Sequence, residues 1–159
     1  MNKLTPEYLV ADKITNSHVV ILVSVPRTGK TTWANSLITQ EGYVPVCRDD
    51  IRRALGVRFD YKLEDKVHEH TQVMLKTLLI RGIPKIIIDE TNLTKKRRKA
   101  ITDLVLEHNG TWEFVEIPVP DEKTHREICE RTGFDWAIVQ SHLSRLEPVE
   151  DHERHPKYK

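Results

Sequence analysis

One stretch, HVVILVSVPRTGKTTW at residues 18–33, limits the folds open to this chain more than any other. Its first half is a short apolar run rich in β-branched residues, the composition of a strand buried on both faces. Its second half turns through Pro26, Arg27, Thr28 and Gly29 into Lys30, Thr31 and Thr32, and residues 33–38 continue as a helix. Strand, tight turn, lysine, hydroxyl and helix in that order describe a P-loop. Backbone N–H groups wrap the phosphates of a nucleotide, the lysine reaches the outer phosphates, and the Thr31 hydroxyl binds Mg²⁺. A chance Gly-Lys-Thr does not account for the order in which these elements coincide. Two positions depart from the motif. Ser24 stands where glycine is usual, which requires a negative φ there. Arg27 stands where a small residue is common.

The chain has 159 residues, enough for one α/β domain with a sizeable core. The formal charge is +1, so any nucleic-acid binding must use a local patch. Two cysteines, Cys47 and Cys129, make no disulfide framework and suit a reducing compartment. No apolar run approaches membrane-spanning length, and the first residues lack the apolar core of a signal peptide. These features give the expectation of a soluble, cytoplasmic protein that meets no membrane. They do not fix an oligomeric state.

Residues 1–17 read as an N-terminal arm, 18–147 as the folded domain, and 148–159 as a charged, mobile tail. Within the domain, strands are expected at 19–25, 43–47, 85–89 and 112–119. Helices are expected at 33–41, 48–55, 64–81, 94–108, 121–130 and 135–146. Pro45 makes the second strand an edge or a strand start. This alternation predicts a mostly parallel sheet of four or five strands with helices on both faces. Ligands then bind off the carboxyl ends of the strands, on a rim carrying the P-loop, Asp49 and residues 89–92.

Phosphoryl transfer needs charge to hold the triphosphate, a metal to bridge it and a base to orient the attacking hydroxyl. Lys30 and Thr31 supply the first two. Asp49, just after the second strand, is the candidate base; its alternative role is to cap the following helix. Arg52, one turn further on, faces the same way and suits a phosphate on the acceptor. Asp89 ends a buried strand, a usual place for a carboxylate that orders Mg²⁺, and Thr91 and Asn92 follow it as acceptor contacts or plain turn residues. Arg126 and Arg131 flank Cys129 where a lid closing over the phosphates would lie; otherwise they are surface arginines. Residues 95–99, KKRRK, open a helix against its dipole. They read either as solvated cations paired with Glu90 or Asp103, or as a track for a polynucleotide backbone. His68-Glu69-His70 lacks the one-turn spacing of a helical metal site.

With these residues assembled, the chain resembles the kinase domain of phage polynucleotide kinases. The likeness covers residues 18–146 and rests on VPRTGKTTWA, CRDDIRRAL, IIIDETNLTKKRR and VPDEKTHREICERTG in that order. It implies transfer of the γ-phosphate of ATP, with Mg²⁺, to the 5′-hydroxyl of DNA or RNA. By that likeness Lys30 and Thr31 are the P-loop lysine and hydroxyl, Asp49 the general base, and Arg52 the holder of the acceptor's 3′-phosphate. Thr91 and Asn92 fall on the acceptor side, and Arg131 and Arg126 on the lid. Ser24 and Arg27 replace P-loop glycines, and Glu90 stands where the family has Asp, leaving open whether Asp89 or Glu90 serves the metal. No Asp-x-Asp-x-Thr signature of the companion phosphatase occurs, so 3′-end repair is not expected. Two other readings remain: a P-loop kinase for a nucleoside, nucleotide or other small alcohol, and a nucleotide-binding module with a decayed P-loop.

Overall fold

The computed structural model describes residues 16–56 and 61–159. Most of the expected N-terminal arm therefore lies outside the described residues, as does part of the linker expected around residue 60.

The apolar run becomes strand β1, His18–Val23, at the centre of the sheet. Helix α1, Lys30–Glu41, follows, then β2, Val44–Cys47, and the short helix α2, Arg48–Ala54. Helix α3 spans Tyr61–Ile80 and leads to β3, Lys85–Asp89. Helix α4, Lys95–Glu107, precedes β4, Thr111–Glu116, and two helices close the set: α5, Glu122–Thr132, and α6, Trp136–Arg145. The four strands are all parallel in the order β2-β3-β1-β4, with His18 beside both Lys85 and Thr111. The proline-bearing strand β2 sits at one edge, where a missing ladder donor is tolerated. Parallel strands linked by helices need both faces covered. On one face Val19, Ile21, Ile86, Ile88 and Phe114 pack against Leu75 and Leu79 of α3 and Ile101 and Val105 of α4. On the other, Val20, Leu22 and Ile87 pack against Ala34 of α1.

Start signals read from the sequence operate as side-chain caps. The Thr94 hydroxyl accepts from Arg97 N–H at 3.2 Å, and Asp121 Oδ1 accepts from Thr124 N–H at 2.9 Å.

The charged segment 148–159 is not the mobile tail its composition suggests. It forms two short 3₁₀ turns, Asp151–Glu153 and Pro156–Tyr158. Polar anchors hold it: Trp112 Nε1 donates to Glu153 O at 3.0 Å, the fully buried Arg98 pairs with Glu153 at 2.8 Å, and Arg154 pairs with Glu116 at 3.3 Å. Val149 packs on the core, and the rings of His155 and Tyr158 meet Trp112 and His18. A reading by apolar content overlooks a segment held this way. Helix α3 also begins earlier than residue 64.

Packing on the two faces sets different sensitivities. Ile21→Ala, in the central strand, should destabilise the fold by about 2–5 kcal/mol. Leu106→Ala, on an exposed position of α4, should change it by no more than about 0.5 kcal/mol. Urea denaturation of both variants checks this contrast.

Candidate active site

Three loops converge at the carboxyl ends of β1, β2 and β3. The first is the P-loop. Thr28 Oγ1 donates to Val25 O at 2.9 Å, and the chain then turns through Gly29 at φ 89° into α1. Helix α1 has no side-chain cap and no acid in its first turn. Its leading N–H groups therefore lack a side-chain acceptor and suit an anion. Ser24 is buried and is not among the residues with positive φ, in keeping with the sequence expectation. The left-handed position falls on Arg27, at φ 62°, whose guanidinium lies 4.7 Å from the centre of the Phe134 ring.

The second loop follows β3. Ser24 N–H donates to Thr91 O at 3.0 Å, and Asn92 Nδ2 donates to Leu22 O at 2.7 Å. Asn92 is buried with φ 47°, so its side chain fixes the loop to the end of β1. It does not reach outward as an acceptor contact should, which corrects the sequence reading at this position.

Lys30 Nζ lies 3.5 Å from Asp89 Oδ1. Burial pushes the Asp89 carboxyl above the usual carboxylate range, Lys30 pulls it back, and the charges of Asp49 and Asp50 add to the push. Asp49 thus lies within electrostatic reach of the Lys30–Asp89 pair. Glu90 is turned away from Lys30, as alternation along an extended chain requires. Its carboxylate meets Arg97 at 2.6 Å and Arg48 at 3.7 Å. Of the two acids left open by the sequence, Asp89 is the one at the P-loop. Its Oδ1 is buried without a hydrogen-bond partner. No cluster of three or more His, Cys, Asp or Glu among the described residues forms a metal cage. Asp89 and the exposed Thr31 are the oxygen donors that could hold a Mg²⁺ ion, which keeps its waters and takes one or two protein oxygens plus phosphate.

The third loop joins β2 to α2. Asp49 opens α2 with its side chain largely exposed, and Arg52 Nη1 donates to its Oδ1 at 2.5 Å. Arg52 also forks onto Glu64, with Nε to Oε2 at 3.0 Å and Nη2 to Oε1 at 2.6 Å. Arg48 approaches Glu64 at 3.8 Å and His68 at 3.3 Å, and Arg97 also contacts His68. Burial and the two guanidiniums hold His68 below its ordinary value, so its ring is a neutral acceptor between them. Arg53 pairs with Asp50 and is exposed. Cys47 is no nucleophile: burial pushes its thiol up to about 11.

The expected lid arginines lie on α5. Arg126 pairs with Glu122 at 3.1 Å and covers the Trp136 ring at 5.1 Å. Arg131 is exposed in the last turn and makes no ion pair with a described residue. Neither forms a hydrogen bond to the P-loop in this state. What ties α5 to the P-loop is His125, fully buried, with Nε2 2.9 Å from Pro26 O.

The basic run is resolved into pairs. Lys95 meets Glu150, Arg97 meets Glu90, Arg98 meets Glu153, and Lys99 meets Asp103. Each of these four cations thus has an acid of the protein beside it.

Comparison with known proteins settles the family. The model of an AAA domain, AAA_33, matches residues 19–147. The chain belongs to this AAA domain family. Similar folds occur in a chain of the Pnkp1/Rnl/Hen1 complex (23% identity, TM-score 0.60, 74% of this chain and 40% of that one). A sugar kinase from Janibacter is 20% identical with TM-score 0.58, over 87% of this chain and 82% of that one. An APS kinase from Mycobacterium tuberculosis is 12% identical with TM-score 0.62, over 86% of each chain. At these identities the likeness is one of fold. The AAA domain described here spans 40% of the Pnkp1-complex chain and 51% of its counterpart in a second structure of that assembly.

Sequence reasoning missed Glu64 and His125. Glu64 sits across a linker from Arg52, and His125 contacts a carbonyl 99 residues away; no local pattern marks either.

Because Asp89 has a folded value raised above its unfolded one, its stabilising contribution is full below the unfolded pKa and lost as pH rises through the folded one. At neutral pH its ionised form is a net cost to the free protein. Asp89→Asn should therefore leave the Tm at pH 7 unchanged or raised while weakening Mg²⁺-dependent nucleotide binding. A lowered Tm would mean that the Lys30 pair outweighs burial.

Proposed function

We propose that this chain is an ATP-dependent polynucleotide 5′-hydroxyl kinase, using Mg²⁺ and acting on 5′-hydroxyl ends of DNA or RNA. The observation that carries the reading is the Asp49–Arg52 pair at 2.5 Å, opening α2 on the rim that holds Lys30 and Asp89. Residues 26–32 wrap the triphosphate, and Lys30 neutralises its outer oxygens. Thr31 and Asp89 would hold Mg²⁺, which would supply positive charge to offset that of the phosphates. The acceptor oxygen attacks the γ-phosphorus, its proton passes to the Asp49 carboxylate, and the bond to the bridging oxygen breaks to release ADP. Arg52 is built to take an acceptor phosphate in exchange for one of its two carboxylates, the fork geometry favouring a planar oxyanion. Thr91 lies on the acceptor side, with Asn92 fixing its loop. Arg131, with Arg126 less directly, closes over the phosphates from α5. The similar fold of a chain in the Pnkp1/Rnl/Hen1 RNA repair complex supports this substrate class.

A second reading, a kinase for a small alcohol, is favoured by two observations. Four cations of the 95–99 run are engaged within the protein, and folds of a sugar kinase and an APS kinase are similar. A decayed, non-catalytic P-loop fits less well, since Ser24 avoids a strained φ and Lys30 keeps its acidic partner.

Labelled ATP with Mg²⁺ and a panel of acceptors decides between them: oligonucleotides of increasing length, nucleosides and sugars. The proposal expects the highest turnover per concentration with 5′-hydroxyl oligonucleotides. A sugar or nucleoside outrunning every oligonucleotide would reject it. Asp49→Asn should lower turnover about 10²–10⁴-fold, the range for a lost general base, with ATP affinity little changed.

A further inference from the structure

Arg98 is the largest side chain that is completely buried. It lies in the first turns of α4, where the helix dipole disfavours a cation. Burying a guanidinium is costly, and a buried ion pair contributes little net stability over apolar packing. Its environment therefore calls for another reason. All five of its N–H donors are met. Nε donates to Glu153 Oε1 at 2.8 Å, Nη1 to Asn92 O and Leu93 O at 3.0 Å each, and Nη2 to Glu153 Oε2 at 3.2 Å and Pro148 O at 3.3 Å. Two of these partners belong to the loop after β3 and two residues to the segment that follows α6. Glu147 N–H adds a direct bond to Leu93 O at 2.9 Å. Glu153 is in turn fixed by Trp112 Nε1 on its carbonyl and by the Glu150 N–H on its carboxylate at 2.8 Å.

A continuous set of hydrogen bonds thus runs from residues 147–153 through Arg98 to residues 92–93, and from there to the P-loop through Asn92 on Leu22 and Thr91 on Ser24. We propose that residues 147–153 form a strap and that Arg98 and Glu153 are positioning residues, holding the 90–93 loop where an acceptor meets Thr91. The effect on acceptor binding rests on the function proposed above; the effect on the loop does not. The loop needs such support because Asn92 is held at φ 47°, which an L-residue adopts at some cost.

The test uses the whole chain with Glu153→Gln, Arg98→Lys and Trp112→Phe. Hydrogen exchange read by mass spectrometry is the readout independent of activity. Glu153→Gln should speed exchange in peptides covering 90–94 and the Ser24 amide at least tenfold, while peptides of α3 keep wild-type protection. In steady-state transfer, the acceptor KM should rise at least fivefold with the ATP KM within twofold. Arg98→Lys, which keeps the charge but loses the fork onto Asn92 O and Leu93 O, should shift both assays at least as far as Glu153→Gln. If Arg98→Lys does not fold, Trp112→Phe, which removes the bond to Glu153 O along with part of a buried ring, should still give a smaller shift in the same peptides. Unchanged exchange at 90–94 in a folded Glu153→Gln variant overturns the strap. Faster exchange there with no polynucleotide transfer by the wild type keeps the strap and rejects the proposed substrate instead. Equal increases in the acceptor and ATP KM values overturn the acceptor-side role.

Discussion

Two hydrogen bonds between neighbouring parallel strands organise the rim of this molecule. Ser24 N–H reaches Thr91 O, and the Asn92 amide reaches Leu22 O. They lie just past the register that pairs Ile21 with Ile88. Together they bring the phosphate-binding turn and the loop after β3 to one place. Parallel strands end on the same side by construction, so β2 adds Asp49 to that rim without any special device. Lys30 and Asp89 then face each other, and burial holds the Asp89 carboxyl above the usual carboxylate range, with the charges of Asp49 and Asp50 adding to the push.

Charge near this rim is arranged as local exchange. Arg52 is held by Asp49 and Glu64, Arg97 by Glu90, and Arg98 by Glu153. Such pairs keep guanidiniums forked and oriented at the cost of desolvation. An oxyanion arriving at Arg52 finds a guanidinium already aimed, and must displace a carboxylate to bind it. The near-neutral total charge of the chain is therefore compatible with a strongly charged site. Net charge was a poor guide to it, because the cations and acids are interleaved at short range.

The sheet and most helix starts were legible in the sequence. The β-branched run, Gly29, Thr94 and Asp121 each encode structure within a few residues of themselves. The P-loop was legible for the same reason. Less legible were contacts joining distant segments. Nothing local shows that Glu64 would take Arg52, that His125 would meet Pro26, or that Asn92 would face inward. The segment 148–159 misled because a docked segment was expected to be apolar. Here the segment is fixed in place by a buried ion pair with satisfied hydrogen bonds together with a few apolar and ring contacts, a mixture that composition cannot register. The run at 95–99 misled less: of its five cations, four have acids in place to meet them, two of those acids in that same segment.

A crystal structure of the chain with a non-hydrolysable ATP analogue, Mg²⁺ and a short 5′-hydroxyl oligonucleotide tests the central claim most directly. The account requires the acceptor's 5′-oxygen within hydrogen-bond distance of the Asp49 carboxylate and in line with a terminal phosphate contacted by Lys30. An acceptor seated away from Asp49, with the terminal phosphate pointing elsewhere, would contradict it.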